Sequence, residues 1–141
     1  MFGKWDEALH TASAGPMWLK DPAVAQIVVG SLYYLDGRSY ALDTYCIMPN
    51  HIHVIFTPLK KPDGIYHALP AIMHSLKRHT ARQANLQLER RGQFWQHESY
   101  DHVVRGEAEL QRIRRYVFRN PVKARLVEKW DEWPWSYCKG L

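Results

Sequence analysis

A proline–asparagine pair, Pro49-Asn50, separates two apolar runs, Tyr40 to Met48 and His51 to Thr57, and no other feature constrains the fold as tightly. Both runs have the length and the β-branched, aromatic content of strands, and so short a turn between them implies an antiparallel hairpin. Side chains alternate faces along a strand, so His51 and His53 share one face while Ile52, Val54 and Phe56 share the other. The apolar set belongs in a core, which turns both imidazoles toward the opposite face. By strand rise the two histidines stand roughly 7 Å apart and can close on one metal ion from the same side. The same spacing suits two half-exposed histidines on the polar face of an amphipathic strand. The pair alone does not decide.

The remaining chain supplies cover for that hairpin. Asp21-Pro22 reads as a helix start, with Asp as N-cap and Pro in the first helical position. Val24, Ile27, Val28 and Leu32 then recur at helical spacing up to Tyr34, before Asp36-Gly37 turns the chain. Pro58 to Gly64 is a basic loop, and Ile65 to about Arg90 reads as a long helix broken by Arg91-Gly92-Gln93. Tyr100 to Val104 is a short strand, and Glu107 to about Arg119 a helix with an apolar face through Leu110, Ile113 and Val117. Asn120 precedes a proline, which disfavours helical geometry, so a break is expected there. A last short helix should run from Pro121 to about Glu128, into a tail carrying Trp130, Trp133 and Trp135. Helices interspersed with strands predict an α+β fold, with helices packed on one face of an antiparallel sheet and the histidines on the other. With 141 residues, the chain is expected to form one domain over 1–141.

A net charge of +5 favours an anionic partner, nucleic acid ahead of an anionic membrane. No run approaches the length of a transmembrane helix. Met1-Phe2-Gly3-Lys4-Trp5 lacks the basic start and apolar stretch of a signal peptide. Cys46 and Cys138 match no zinc or redox spacing, so reduced, buried thiols in a cytoplasmic protein are expected.

Tyr116 lies about 90° round from the apolar face of its helix, ring toward the core and hydroxyl able to face an open site. A tyrosine becomes a nucleophile only when something offsets its pKa of about 10, and a divalent cation polarising the attacked phosphate does part of that. Asn120, one turn further along, lies beside it and could add an amide oxygen to a shell of two imidazoles. Equally, Tyr116 fits core-edge packing, and Asn120 fits an N-cap for the Pro121 helix.

The segment Met48-Pro49-Asn50-His51-Ile52-His53-Val54 resembles the His-hydrophobic-His strand of single-tyrosine HUH transposases, REP-associated tyrosine transposases above all. The likeness continues through Gly92-Gln93-Phe94-Trp95-Gln96, Ser99-Tyr100-Asp101-His102-Val103-Val104-Arg105, Tyr116-Val117-Phe118-Arg119-Asn120-Pro121-Val122-Lys123-Ala124 and Trp133-Pro134-Trp135-Ser136. It implies a ferredoxin-like antiparallel sheet and a metal-assisted DNA strand transferase acting on single-stranded DNA hairpins. It also implies Mg²⁺ or Mn²⁺ held by His51 and His53 with Asn120, and Tyr116 as the residue that becomes joined to a 5′ phosphate. Members of that family open with a further apolar strand inside the sheet, ahead of the segment matching Gly3-Lys4-Trp5-Asp6. That strand is expected to be missing here, which would expose backbone edges and part of the core. A start further upstream, a strand swapped in from a second chain, as in a homodimer, or a decayed copy would each account for this.

Lys77, Arg78 and Arg82, near His74 and His79, form a basic segment that reads as a solvated helix face or a DNA contact. Arg112, Arg114, Arg115, Arg119, Lys123 and Arg125 crowd around Tyr116 where acids are sparse, which favours phosphate contact. Tyr100 is a rival nucleophile, though a strand tyrosine before Asp101-His102 fits a structural role better. His102 is a candidate third ligand or phosphate contact, or a satisfied strand residue. The three tail tryptophans fit packing onto the body better than stacking on bases. Two alternatives to a transferase stand: a hairpin-binding protein that has lost turnover, and an RNA-binding α+β domain. The second is disfavoured because no strand pair carries clear RNP-like aromatics.

Overall fold

The computed structural model describes residues 4–11, 17–96 and 100–140. Gly3 and Ser99 of the motifs quoted above, and the Met1–Gly3 start, lie outside the described residues. In chain order the elements are β1 (Lys4–His10), α1 (Pro22–Leu35), β2 (Tyr40–Met48), β3 (His51–Pro58), α2 (Leu69–Gln87), β4 (Tyr100–Val104), α3 (Glu107–Lys123) and β5 (Ser136–Cys138). Single 3-10 turns at Trp18–Lys20 and Trp130–Glu132 complete the set.

The strands form one antiparallel sheet in the order β4-β1-β3-β2-β5. Its centre is the hairpin of β2 and β3, where Ile47 faces Ile52, Cys46 faces His53 and Met48 faces His51. Ile52, Val54 and Phe56 are fully buried on one face, under α1 and α2. From α1 come Val24, Val28 and Leu32, and from α2 come Ile72, Met73 and Leu76. Each such buried side chain contributes about 1.5–3 kcal/mol relative to leaving it in water, so this layer holds the molecule together. Asp21 caps α1 as its sequence suggests, its Oδ1 accepting the Ala23 N–H at 2.9 Å ahead of Pro22.

α3 lies across part of the opposite face. Leu110 and Ile113 cover Ile55 and Val104, and Val117 packs on Cys46 and Met48. A β-bulge in β2 between Leu42 and Thr44 sets Asp43 apart from the ladder. Arg114 of α3 forks onto that carboxylate, Nε donating to Oδ2 at 2.9 Å and Nη2 to Oδ1. Lys4 adds an ion pair at 3.6 Å and the Thr44 hydroxyl a hydrogen bond at 2.6 Å. These partners hold Asp43 below the ordinary carboxylate range although burial pushes the other way. Arg114 is therefore an anchor of α3, not one of the phosphate-facing cations its sequence position suggested.

Three sequence expectations are corrected. No gap is left inside the sheet, because Lys4–His10 enters between β3 and β4, with Ala8 opposite both His53 and Tyr100. Backbone pairing on both edges accepts a strand whose side chains read as a polar loop. Secondly, α3 does not stop before Pro121 but continues to Lys123, so there is no helix from Pro121 to Glu128 and Asn120 caps nothing. Proline there forfeits one bond to the preceding turn, while the following amides still close: Ala124 on Asn120 at 2.9 Å and Leu126 on Pro121 at 2.9 Å. Thirdly, α2 begins at Leu69, with Pro70 in its first turn. Ile65 and Tyr66 instead belong to a loop closed by the Lys61–Ile65 hydrogen bond at 2.8 Å.

Candidate active site

His51 and His53 rise from β3 on the face opposite the main core, as the period of two dictates. Their rings stand edge to face with centroids 5.1 Å apart. Asn50, in the turn, presents its side-chain oxygen to His51 Nδ1 at 2.8 Å. An amide oxygen only accepts, so this contact favours the proton on Nδ1. A proton held on Nδ1 makes Nε2 the ring atom that could ligate a metal.

α3 brings the third group. Tyr116 is half-exposed, and its ring lies 5.9 Å, centroid to centroid and edge to face, from that of His53. The docking of Arg114 on Asp43 and of Val117 on Cys46 and Met48 sets this approach. His51, His53 and Tyr116 together line an open pocket of about 450 Å³, with Asp6, His102 and Tyr100 among the other walls. Asn120 sits one turn beyond Tyr116, and its side-chain nitrogen is buried with no hydrogen-bond partner among the described residues. That nitrogen is a donor, so what would satisfy it is an acceptor, and Asn120 is not among the residues that line the histidine pocket. Among the described residues no group of three His, Cys, Asp or Glu side chains is arranged to hold a metal.

The remaining expected residues divide. His102 is a satisfied strand residue, its Nε2 meeting Glu109 Oε1 at 2.8 Å. Tyr100 is highly exposed at the rim of the pocket. Arg112, Arg115, Arg119 and Lys123 share with Tyr116 an open cleft of about 860 Å³ along α3. Lys77, Arg78 and Arg82 belong to α2, which packs on the other face of the sheet, away from the histidines. Lys77 is near enough to Glu7 for its charge to oppose the rise in that acid's pKa.

Asp6 escaped the sequence reading. It stands on β1 opposite His102 and Ile55, on the histidine face, with Oδ1 buried and without a hydrogen-bond partner among the described residues. Burial pushes its carboxyl up to about 6, with the charge of His102 opposing. Only the alternation of Trp5, Glu7 and Leu9 against Asp6 and Ala8 could have signalled a strand here, and two acids within it hid the pattern.

Residues 33–120 match the family described as "Transposase IS200 like". The chain is 27% identical over 113 residues to a Haemophilus influenzae protein named as a REP-associated tyrosine transposase, across 75% of this chain and 64% of that one. It thus spans under two-thirds of the length of that relative. Its fold is similar, at a TM-score of 0.77 and 17% identity, to a REP-associated tyrosine transposase solved bound to a REP hairpin, covering 96% of this chain and 76% of that one. Among the described residues no helix is long and apolar enough to cross a membrane.

Proposed function

The chain belongs to the IS200-like transposase family, and from that premise we propose that it cleaves and rejoins single-stranded DNA next to a hairpin, with Tyr116 as the nucleophile. The observation that carries this reading is the approach of Tyr116 to His53, with His51 in the same pocket. His51 and His53, with the Asn120 side-chain amide, would hold a divalent cation, which when bound supplies Lewis-acid polarisation of the scissile phosphate. The Tyr116 hydroxyl attacks phosphorus in line, its proton leaving to the solvent that reaches this half-exposed residue. One phosphorus–oxygen bond forms to tyrosine as the bond to the departing 3′ oxygen breaks, and that oxygen takes a proton. A DNA 3′ hydroxyl then reverses the step, restoring a phosphodiester and freeing the tyrosine. Arg112, Arg115, Arg119 and Lys123 neutralise the strand beside the reacting phosphate.

A second reading, a hairpin-binding protein that has lost turnover, draws on Asp6. A carboxylate among the walls of the histidine pocket, one oxygen buried, would oppose the phosphate that must settle there. Covalent trapping separates the two. The protein is incubated with Mn²⁺ and a labelled hairpin bearing unpaired flanks, taken from inverted repeats beside its own gene. A denaturant-resistant protein–DNA band that vanishes in Tyr116→Phe, while native-gel binding persists, is the expected result. Binding without a band selects the second reading, and neither band nor binding removes both.

A further inference from the structure

The three tail tryptophans have different surroundings. Trp133 donates its indole N–H to the Ile47 carbonyl at 3.0 Å and packs beside Val117, Cys46 and Met48. Trp135 packs against the main core, and its carbonyl accepts the Ile47 N–H at 2.9 Å. These two fasten the tail. Trp130 is 47% exposed, and its one ring neighbour among the described aromatics is Phe118 of α3, at 5.4 Å and tilted 48°.

Trp130 stands where two clefts meet. One, of about 860 Å³, also contains Tyr116; the other, of about 480 Å³, lies toward β5. Arg115 and Arg119 line both, with Lys123 and the acids Glu128 and Asp131 also in the larger one. A lone exposed tryptophan needs no explanation. A half-exposed indole packed on Phe118, in a cleft that it shares with Arg115, Arg119 and the candidate nucleophile, has the make-up of a single-strand platform. Cations take the phosphates while the aromatic face takes a base of any identity.

We propose that Trp130 stacks on an unpaired nucleotide next to the scissile phosphate, with Arg115 and Arg119 holding the phosphates on either side. This rests on the reading of the chain as a single-strand DNA enzyme and adds how the strand is gripped outside the reacting centre. The occupant is unpaired DNA, because a duplex keeps its bases stacked on one another and offers no face to an indole.

The test is fluorescence anisotropy at fixed salt with three DNAs: a hairpin with unpaired tails, the same hairpin blunt, and the tail alone. Trp130→Ala should weaken the tailed hairpin about ten-fold or more and leave the blunt one within two-fold, with Trp130→Phe retaining most of the affinity. An abasic position stepped along the tail should lower wild-type affinity at one site and cost Trp130→Ala nothing further there. Should the alanine variant fold poorly, the wild-type scan can still overturn the proposal, through the absence of any sensitive position, and Trp130→Phe carries the comparison. Equal losses on tailed and blunt hairpins, or no abasic-sensitive position, would overturn the proposal and leave the transferase reading intact. Trp130-dependent binding to the tail alone, with no preference for a hairpin, would instead overturn the hairpin reading and leave the stacking role standing.

Discussion

The adjacent strands β1 and β3 are each paired on both edges and are built on opposite terms. In β3 the inward residues Ile52, Val54 and Phe56 are fully buried under two helices, and the outward residues carry the candidate chemistry. β1 contributes Leu9 to that core, but two places away, on the same face, is Glu7, 1% exposed, its Oε2 without a hydrogen-bond partner among the described residues. On the histidine face Asp6 has the same defect. The first strand is held by packing, the second by its backbone ladders in spite of its side chains. A candidate active site whose one wall is over-determined and whose other wall is penalised has its geometry set by β3 and α3. β1 follows.

The largest expected effect comes from attacking the strong side. Phe56 is fully buried, its ring 4.7 Å from that of Tyr40, so Phe56→Ala should cost about 3–5 kcal/mol in denaturant unfolding. The corresponding truncation on β1, Leu9→Ala, should cost less than Phe56→Ala, because fewer carbons leave and β1 already tolerates buried acids. Equal or reversed losses would mean that β1 is as much a packing strand as β3.

A smaller effect tests what pairing does for a buried acid. Asp43 and Glu7 are almost equally inaccessible, yet Arg114, Thr44 and Lys4 surround the first. Arg114→Leu makes Asp43 resemble Glu7 and should cost about 3 kcal/mol at neutral pH, since it strands a buried charge. The pH sign follows from the direction of the shift. Asp43 is held low in the folded state, so its contribution is present above the unfolded value near 4 and is lost as pH falls through the folded value. The variant should lack that acid-limb loss. Unfolding midpoints between pH 2 and 7 would show it.

How much of this could be read from the chain follows the same division. The bounds of β2, Tyr40–Met48, and the facing of His51 and His53 were legible because alternation, turn residues and burial agree there. α1 was legible from Asp21-Pro22, and the boundary position of Tyr116 from the 100° advance per residue. β1 was not, because Asp6 and Glu7 contradict the pattern of an inner strand and only pairing on both edges overrides them. The end of α3 was misread because the bias against helix before Pro121 is a local preference of modest size, outweighed by the buried ring and the closing bonds behind it. The difference between Trp130 and its two neighbours was invisible, since three tryptophans in one tail look alike until a body exists for two of them to lean on.

The smallest expected effect is the one most specific to β1. Burial, with Asp101 and Asp6 nearby, pushes the Glu7 carboxyl up to about 8, and Lys77 only partly offsets this. Between the unfolded value near 4.5 and the folded value near 8, the folded chain binds a proton that the unfolded chain does not. Stability from this group is therefore fully present below about pH 4.5 and is lost as pH rises through 8. Glu7→Gln cannot titrate, so its stability should decline less between pH 5 and 9, overtaking wild type at the alkaline end. The gain should be on the order of 1 kcal/mol, because a buried amide without partners still carries a desolvation cost. Asp6, raised to about 6, keeps its own slope in both proteins between roughly pH 4 and 6, and Asp6→Asn should remove it. Parallel urea midpoints for wild type and Glu7→Gln across the whole range would mean that Glu7 meets solvent or a partner in solution. The penalty that sets β1 apart from β3 would then not exist.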